Sequence, residues 1–353
     1  MILSGAIVVV VALAVIPPTL RAQGDTTAAA VEQAEFSGAV PESPAFTFLG
    51  VSPARIERPG AARDFALALL NGVDAAGRAQ QGFALEVSPW YLVPGYAIGL
   101  DAYQRSWFKY MVANAQHSLG TARAAGDSGS TDLATGLRLT LLDRGDPMRS
   151  RAFTKALGDT VLRACAPETP GVAVEPACVG KVAAAQFTAW TAGHWNARRL
   201  SFAVATGLRF VGSATGNSRY RGIRFWLAGA NPIGRSGQAV AQVAYTQQPA
   251  EGGDSRFSRV SYGVRILAGS PSFNVFAELL GDSRFATSDG TNDKSGSWAG
   301  GIEARVGRNL WISTGLGSQF STLRVPDRVI VIANVRWGIA SAARLRSLRP
   351  GAF

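Results

Sequence analysis

The fold is decided in "RLSFAVATGLRFVG", residues 199–212. Leu200, Phe202, Val204, Leu208 and Phe210 share one register, and Ser201, Ala203, Ala205, Gly207 and Arg209 share the other. A period of two describes a strand with two distinct faces. A soluble strand would set Lys, Glu, Thr and Gln against its apolar face. Here the opposing face is small and carries one charge, Arg209. Lipid outside and a polar lumen inside give this pattern. In a membrane only a closed barrel leaves no β edge with unpaired backbone groups.

The same alternation runs through the chain from residue 82. Ten further strand candidates, each of roughly ten residues as a tilted membrane strand needs, lie at 82–93, 106–119, 131–142, 220–229, 238–247, 258–269, 272–281, 297–307, 310–320 and 328–339. From residue 229 onwards, short turn-rich links ("ANPIGRSG", "GSPS", "GRN") take turns with longer polar ones ("QPAEGGDSRF", "GDSRFATSDGTNDKSGS", "STLRVPD"). Short periplasmic turns and long outward loops alternate in this way in outer-membrane barrels. Single-chain barrels have an even number of strands, so the eleven candidates imply a twelfth. We expect it at "AFTFLGV" (45–51), rather than near "VAAAQFTAW" (182–190), which reads as helix. That choice puts the insertion at 146–197 on the periplasmic side. Between them, "ARDFALALLNGV" groups Phe65, Leu67, Leu69 and Leu70 as a short helix ended by Asn71-Gly72, a plug or cap.

The interruption at 146–197 reads as two helices, with Cys165 and Cys178 bracketing the Pro-rich link between them. An exported chain favours pairing them. Closing so short a loop is worth about 3 kcal/mol in the chain-entropy picture. Export is expected because the apolar run Ala6–Ile16 is too short to span a bilayer and has the length of a signal core. The expected organisation is a signal peptide at 1–22, a flexible leader at 23–44, and an N-terminal segment at 45–81 containing the short helix. A barrel at 82–340 and a tail at 341–353 follow.

The formal charge of +11 comes from thirty-one Arg and four Lys against twenty-four acidic residues. Without a dense basic run interleaved with aromatics, it does not indicate nucleic acid. On the inner register the strands collect Arg138, Arg209, Arg224, Arg265, Arg305 and Arg336 against Glu86, Glu278 and Glu303. Six guanidiniums facing three carboxylates make either a packed network that closes the lumen or an open lumen that favours anions. The expected partners are outer-membrane lipid and small anionic solutes, with the oligomeric state open. No catalytic, cofactor or metal site is expected. There are two Cys and two His, and neither His117 nor His194 has a carboxylate at a spacing that would orient it.

"GFALEVSPWYLVP" and "TDLATGLRLTLL", with "SPAFTFLGVSP" before them, resemble a group of uncharacterised bacterial outer-membrane barrel proteins. Their first strands carry an FALEVSPYWL-like segment, matched here by Phe83–Leu92. A second, D-L-G-x-G-L-R-like segment is matched by Asp132–Arg138. The resemblance implies export and a barrel, and no activity. The functional expectation is a narrow pore for small anions with an Arg-rich lumen. The alternative is a closed, plugged barrel with a structural or surface-interaction role.

Overall fold

A computed structural model describes residues 43–49, 56–60, 65–73, 79–89, 98–124, 130–166, 174–211, 218–249, 256–286, 292–307, 310–321 and 330–339. The expected signal, most of the leader and the tail lie outside these residues. In chain order the strands are β1 (Phe65–Val73), β2 (Ala79–Val87), β3 (Ala115–Ala124), β4 (Thr131–Asp143), β5 (Arg199–Phe210) and β6 (Ser218–Ile233). They continue as β7 (Gly237–Pro249), β8 (Arg256–Gly269), β9 (Phe273–Ala286), β10 (Asn292–Arg305), β11 (Leu310–Ser321) and β12 (Ile330–Ile339). Each pairs antiparallel with its sequence neighbours. β1 closes on β12 with Phe65 opposite Ile339 and Val73 opposite Val331. The result is a closed twelve-strand antiparallel barrel.

Alternation along the strands sorts the side chains as the sequence predicts. On β5, Ser201, Ala203, Ala205 and Gly207 are buried inside while Leu208 is exposed outside. On β8, Tyr262, Val264 and Ile266 point outward and Ser261, Arg265 and Leu267 inward. The outward face is apolar and open, with Leu279 70% exposed at the middle of β9. A bulge lies between Gly207 and Leu208, opposite Gly222. The φ of Gly222 is +117°, and a Cβ there would sit 2.2 Å from the Gln247 carbonyl oxygen, so this corner requires glycine.

Three elements differ from the sequence reading. The twelfth strand is β1, in the stretch read as a helix, and it opens the barrel before residue 82. Phe65, Leu67 and Leu69 alternate outward past the buried Ala66 and Ala68, which imitates a helical grouping when Leu70 is counted in. The expected strand at 45–51 is instead a helix, α1 (Pro44–Leu49), with all six residues buried. The expected strand at 106–119 is split. Its first half is a helix, α3 (Trp107–Ala113), and only its second half opens β3. The FALEVSP segment therefore forms the second strand, not the first.

One end of the barrel carries both ends of the strand series, the turns between β6 and β7, β8 and β9, and β10 and β11, and, among the described residues, the helices outside the lumen. We call this the turn end, and the opposite rim the loop end. Between β2 and β3 stand α2 (Leu100–Arg105) and α3. Between β4 and β5 stand α4 (Arg151–Cys165) and α5 (Pro176–Gly193). The insertion at 146–197 is thus the expected helical hairpin, on the side of the short turns. Cys165 and Cys178 form its disulfide, with Cα atoms 5.8 Å apart.

The four helices share one apolar core of Ile98, Tyr103, Tyr110, Met148, Phe153, Leu157, Val179, Ala183 and Phe187, a cap on the turn end. Asp146 starts its second half, accepting from the Met148 backbone N–H at 2.9 Å and from the Tyr103 hydroxyl at 2.6 Å. Burial pushes the Asp146 carboxyl up to about 6, although the Tyr103 hydrogen bond pulls the other way.

Candidate functional site in the barrel lumen

The small inner face of β5 meets neither water nor solute. It meets α1. This helix packs on β2, β3, β4 and β5, where Ala84, Ala122, Ala134, Ala203 and Ala205 form an apolar wall against Ala45, Phe46, Phe48 and Leu49. Three glycines make room for it. A Cβ at Gly120 would lie 2.9 Å from the Ala45 Cβ, one at Gly136 2.8 Å from the Pro44 Cβ, and one at Gly207 2.6 Å from Phe48 Cε1. Real side-chain atoms do not approach so closely, so the glycines are the seat of the helix. The Ala45 N–H donates to Ser118 Oγ at 3.2 Å, and Arg224 Nη1 donates to the Thr47 carbonyl at 3.5 Å.

The chain crosses the lumen a second time at Ile56–Arg58, and this pass is held by charge. Glu57 accepts from Arg138 Nη1 at 3.1 Å and from the Trp226 indole, and its backbone N–H donates to Gln242 Oε1 at 2.8 Å. Arg138 also donates to Glu86 at 2.5 Å and to Gln116. Arg58 donates through Nε to Gln238 at 2.8 Å and through Nη2 to the Trp195 carbonyl in the cap at 3.2 Å. It also reaches Glu303 at 3.5 Å. Glu303 collects Arg265 at 2.6 Å and Arg336 at 3.2 Å, and Arg265 pairs with Glu278 at 3.4 Å.

The central network therefore holds four guanidiniums, Arg58, Arg138, Arg265 and Arg336, and four carboxylates, Glu57, Glu86, Glu278 and Glu303. None is more than 5% exposed. Moving a charge out of water costs several kcal/mol even after relaxation, which only close pairing offsets. The centre balances because Arg209, Arg224 and Arg305 of the six strand arginines lie away from it, while the plug adds one charge of each sign, Glu57 and Arg58. Asp132, on the inner register of β4, takes Arg209 at 2.8 and 3.1 Å and also Arg221, at the loop end.

Of the six predicted lumen arginines, the centre brings together Arg138, Arg265 and Arg336 with all three predicted glutamates. Arg209 stands at the loop end. Arg224 lies over the Trp226 ring, 5.7 Å from its centroid. Arg305 is at the turn end, with Nη2 3.4 Å from Ser272 Oγ. Sequence reasoning missed Glu57, Arg58 and Asp132. Asp132 could have been found, because it shares the register of Arg138. Both histidines lie outside the lumen network. His117 is on the outward face with Nε2 2.9 Å from Thr135 Oγ1, and His194 stacks on Trp190 in the cap.

No family model matches the sequence, and no curated protein does. Among solved structures, the NanC porin aligns over 77% of this chain and 98% of its own, at 8% identity and a TM-score of 0.38. The KdgM porin aligns over 77% and 98% at 9% identity and a TM-score of 0.36. LpxR from Salmonella typhimurium aligns over 77% and 99% at 10% identity and a TM-score of 0.36. Likenesses this distant carry no function across. What the lumen does must be read from its own geometry.

Proposed function

We propose that this is an exported outer-membrane β-barrel closed at rest by its own N-terminal segment, with a structural or surface-interaction role. The observation that carries the closed state is the double crossing of the lumen by residues 43–49 and 56–58, seated on glycines and tied into a balanced charge network. The membrane setting is supported by the outward face. Leu279, Tyr262 and Val331 are each more than half exposed, whereas the charged groups of the central network turn inward. Strands of up to 16 residues, tilted about 40°, cross an apolar band about 25 Å tall with length to spare. The first 22 residues would direct export.

A second reading, a narrow pore for small anions, is favoured by the cationic loop-end rim of Arg209 and Arg221 around the single carboxylate of Asp132. It requires the N-terminal segment to leave. Planar-bilayer recording of the purified barrel separates the two. The closed reading predicts silence from inserted wild-type protein. Steady anion-selective steps from the unmodified chain would replace it with the pore.

A further inference from the structure

We propose that α3 is a membrane-interface anchor, laying Trp107 and Phe108 into the lipid leaflet at the turn end of the barrel; this rests on the outer-membrane reading above. The helix has one face committed to protein. Tyr110 and Ala113 are buried in the cap, where Tyr110 meets the Tyr103 ring edge-on at 5.3 Å and the Arg149 guanidinium lies 4.3 Å from the Tyr110 ring centroid. The other face presents two large apolar side chains to the outside, Trp107 at 53% exposure and Phe108 at 63%. Water is a poor solvent for such a pair, and transfer of both rings into lipid is favourable.

The position of this face identifies what covers it. Trp107 Nε1 donates to the Leu141 carbonyl of β4 at 2.9 Å, so the indole hangs at the turn-end margin of the barrel's outward apolar surface. Elsewhere that margin is aromatic in its own right. Phe65 of β1 and Trp337 of β12 pack edge-on at 5.8 Å, and Phe273 stands exposed at the start of β9. Neither β3 nor β4 contains an aromatic residue. Trp107 and Phe108 supply the missing part of the belt from outside the sheet.

Aromatic rings at this depth sit at the level of lipid headgroups. Beside them Lys109 is exposed, placed as a cation that reaches back towards phosphates along its apolar stem, while the exposed Arg105 pairs with Asp101 at 2.5 Å. The hydrogen bond from the Lys109 N–H to Ser106 Oγ at 3.3 Å fixes the start of the helix and hence the direction of the two rings. The barrel is thereby fixed in depth and rotation on the side where its own strands carry no anchor.

The test is spin-label depth measurement in phospholipid vesicles. A single cysteine is placed at Phe108→Cys, at Leu279→Cys on mid-barrel β9, or at Lys155→Cys on the charged outer face of α4. The native cysteines are tied in their disulfide and take no label. The expected result is oxygen collision in excess of collision with a water-soluble nickel complex at 108, at a depth shallower than at 279, with 155 in water. A water-exposed label at 108 while 279 reads as lipid overturns the anchor alone. Water exposure at 279 as well overturns the membrane reading and the anchor with it.

Discussion

Along β2 to β5 the half of the inner wall nearer the loop end is nearly bare of side chain, with Glu86 and Arg138 set nearer the turn end; along β8 to β12 the wall carries charge. The first wall is alanine and glycine, and α1 fits it by shape. The second is Arg265, Glu278, Glu303 and Arg336; Arg58 meets it by ion pairing with Glu303, while Glu57 pairs with Arg138 of β4. One plug is therefore held in two ways. Shape contributes many small dispersion contacts that fade gradually when the surface changes. Buried charge contributes little net stability, yet removal of one partner leaves the others stranded. The two walls should fail differently.

The largest effect is expected at Glu303→Gln, which takes the shared carboxylate from Arg58, Arg265 and Arg336. Breaking a buried pair costs about 3–5 kcal/mol. Urea titration of the refolded barrel should show a loss of that order. A loss below about 1 kcal/mol would mean the network is solvated. On the opposite wall, Gly136→Leu drives side-chain atoms into Pro44 and Ser118. Overpacking of this kind costs about 1–3 kcal/mol, and relief by expulsion of α1 should open the lumen, read as the appearance of ionic current. A silent and fully stable Gly136→Leu barrel would show that α1 does not sit on this wall.

The cap offers a third contrast, because its charge is held without a cation at hydrogen-bond distance among the described residues. With the Asp146 carboxyl near 6 in the folded cap against about 4 in the unfolded chain, the folded state binds more protons between these values. The cap should therefore gain stability, by about 1–3 kcal/mol, as pH falls from 7 to 4, and lose that gain as pH rises through 6. Hydrogen exchange of cap amides at both pH values should show it, and Asp146→Asn should remove the dependence. The smallest effect is expected at Arg209→Met. That side chain is 36% exposed, and screened pairs with Asp132 contribute at most about 1 kcal/mol. A change as large as that at Glu303 would erase the distinction between rim and centre.

The same contrast explains what the sequence revealed. Strands from β4 onwards each face an apolar exterior on one side and a small or charged interior on the other, so their period is plain. The inner arginines and glutamates were legible for that reason, as were the paired Cys165 and Cys178 and the hairpin they tie. α1 was not, because a helix enclosed by barrel wall is buried all round and keeps no polar face to mark its turn. β1 was hidden because Ala66 and Ala68 on its inner face carry no polarity to mark the alternation. α3 was read as strand because both of its faces are apolar, one turned to the cap and one exposed. Glu57 and Arg58 sit in a segment with no period at all, and only the closed topology brings them to Arg138 and Glu303.

Whether the lumen is filled by residues 43–49 and 56–58 is tested most directly at Thr47, which is 4% exposed inside the barrel. A Thr47→Cys variant carries the one free thiol in the chain, since Cys165 and Cys178 are paired. The rate of its reaction with a small charged thiol reagent is measured in the folded barrel and after denaturation. A filled lumen predicts protection in the folded state and rapid labelling once unfolded. Labelling of the folded barrel as fast as that of an exposed Lys155→Cys control would contradict it.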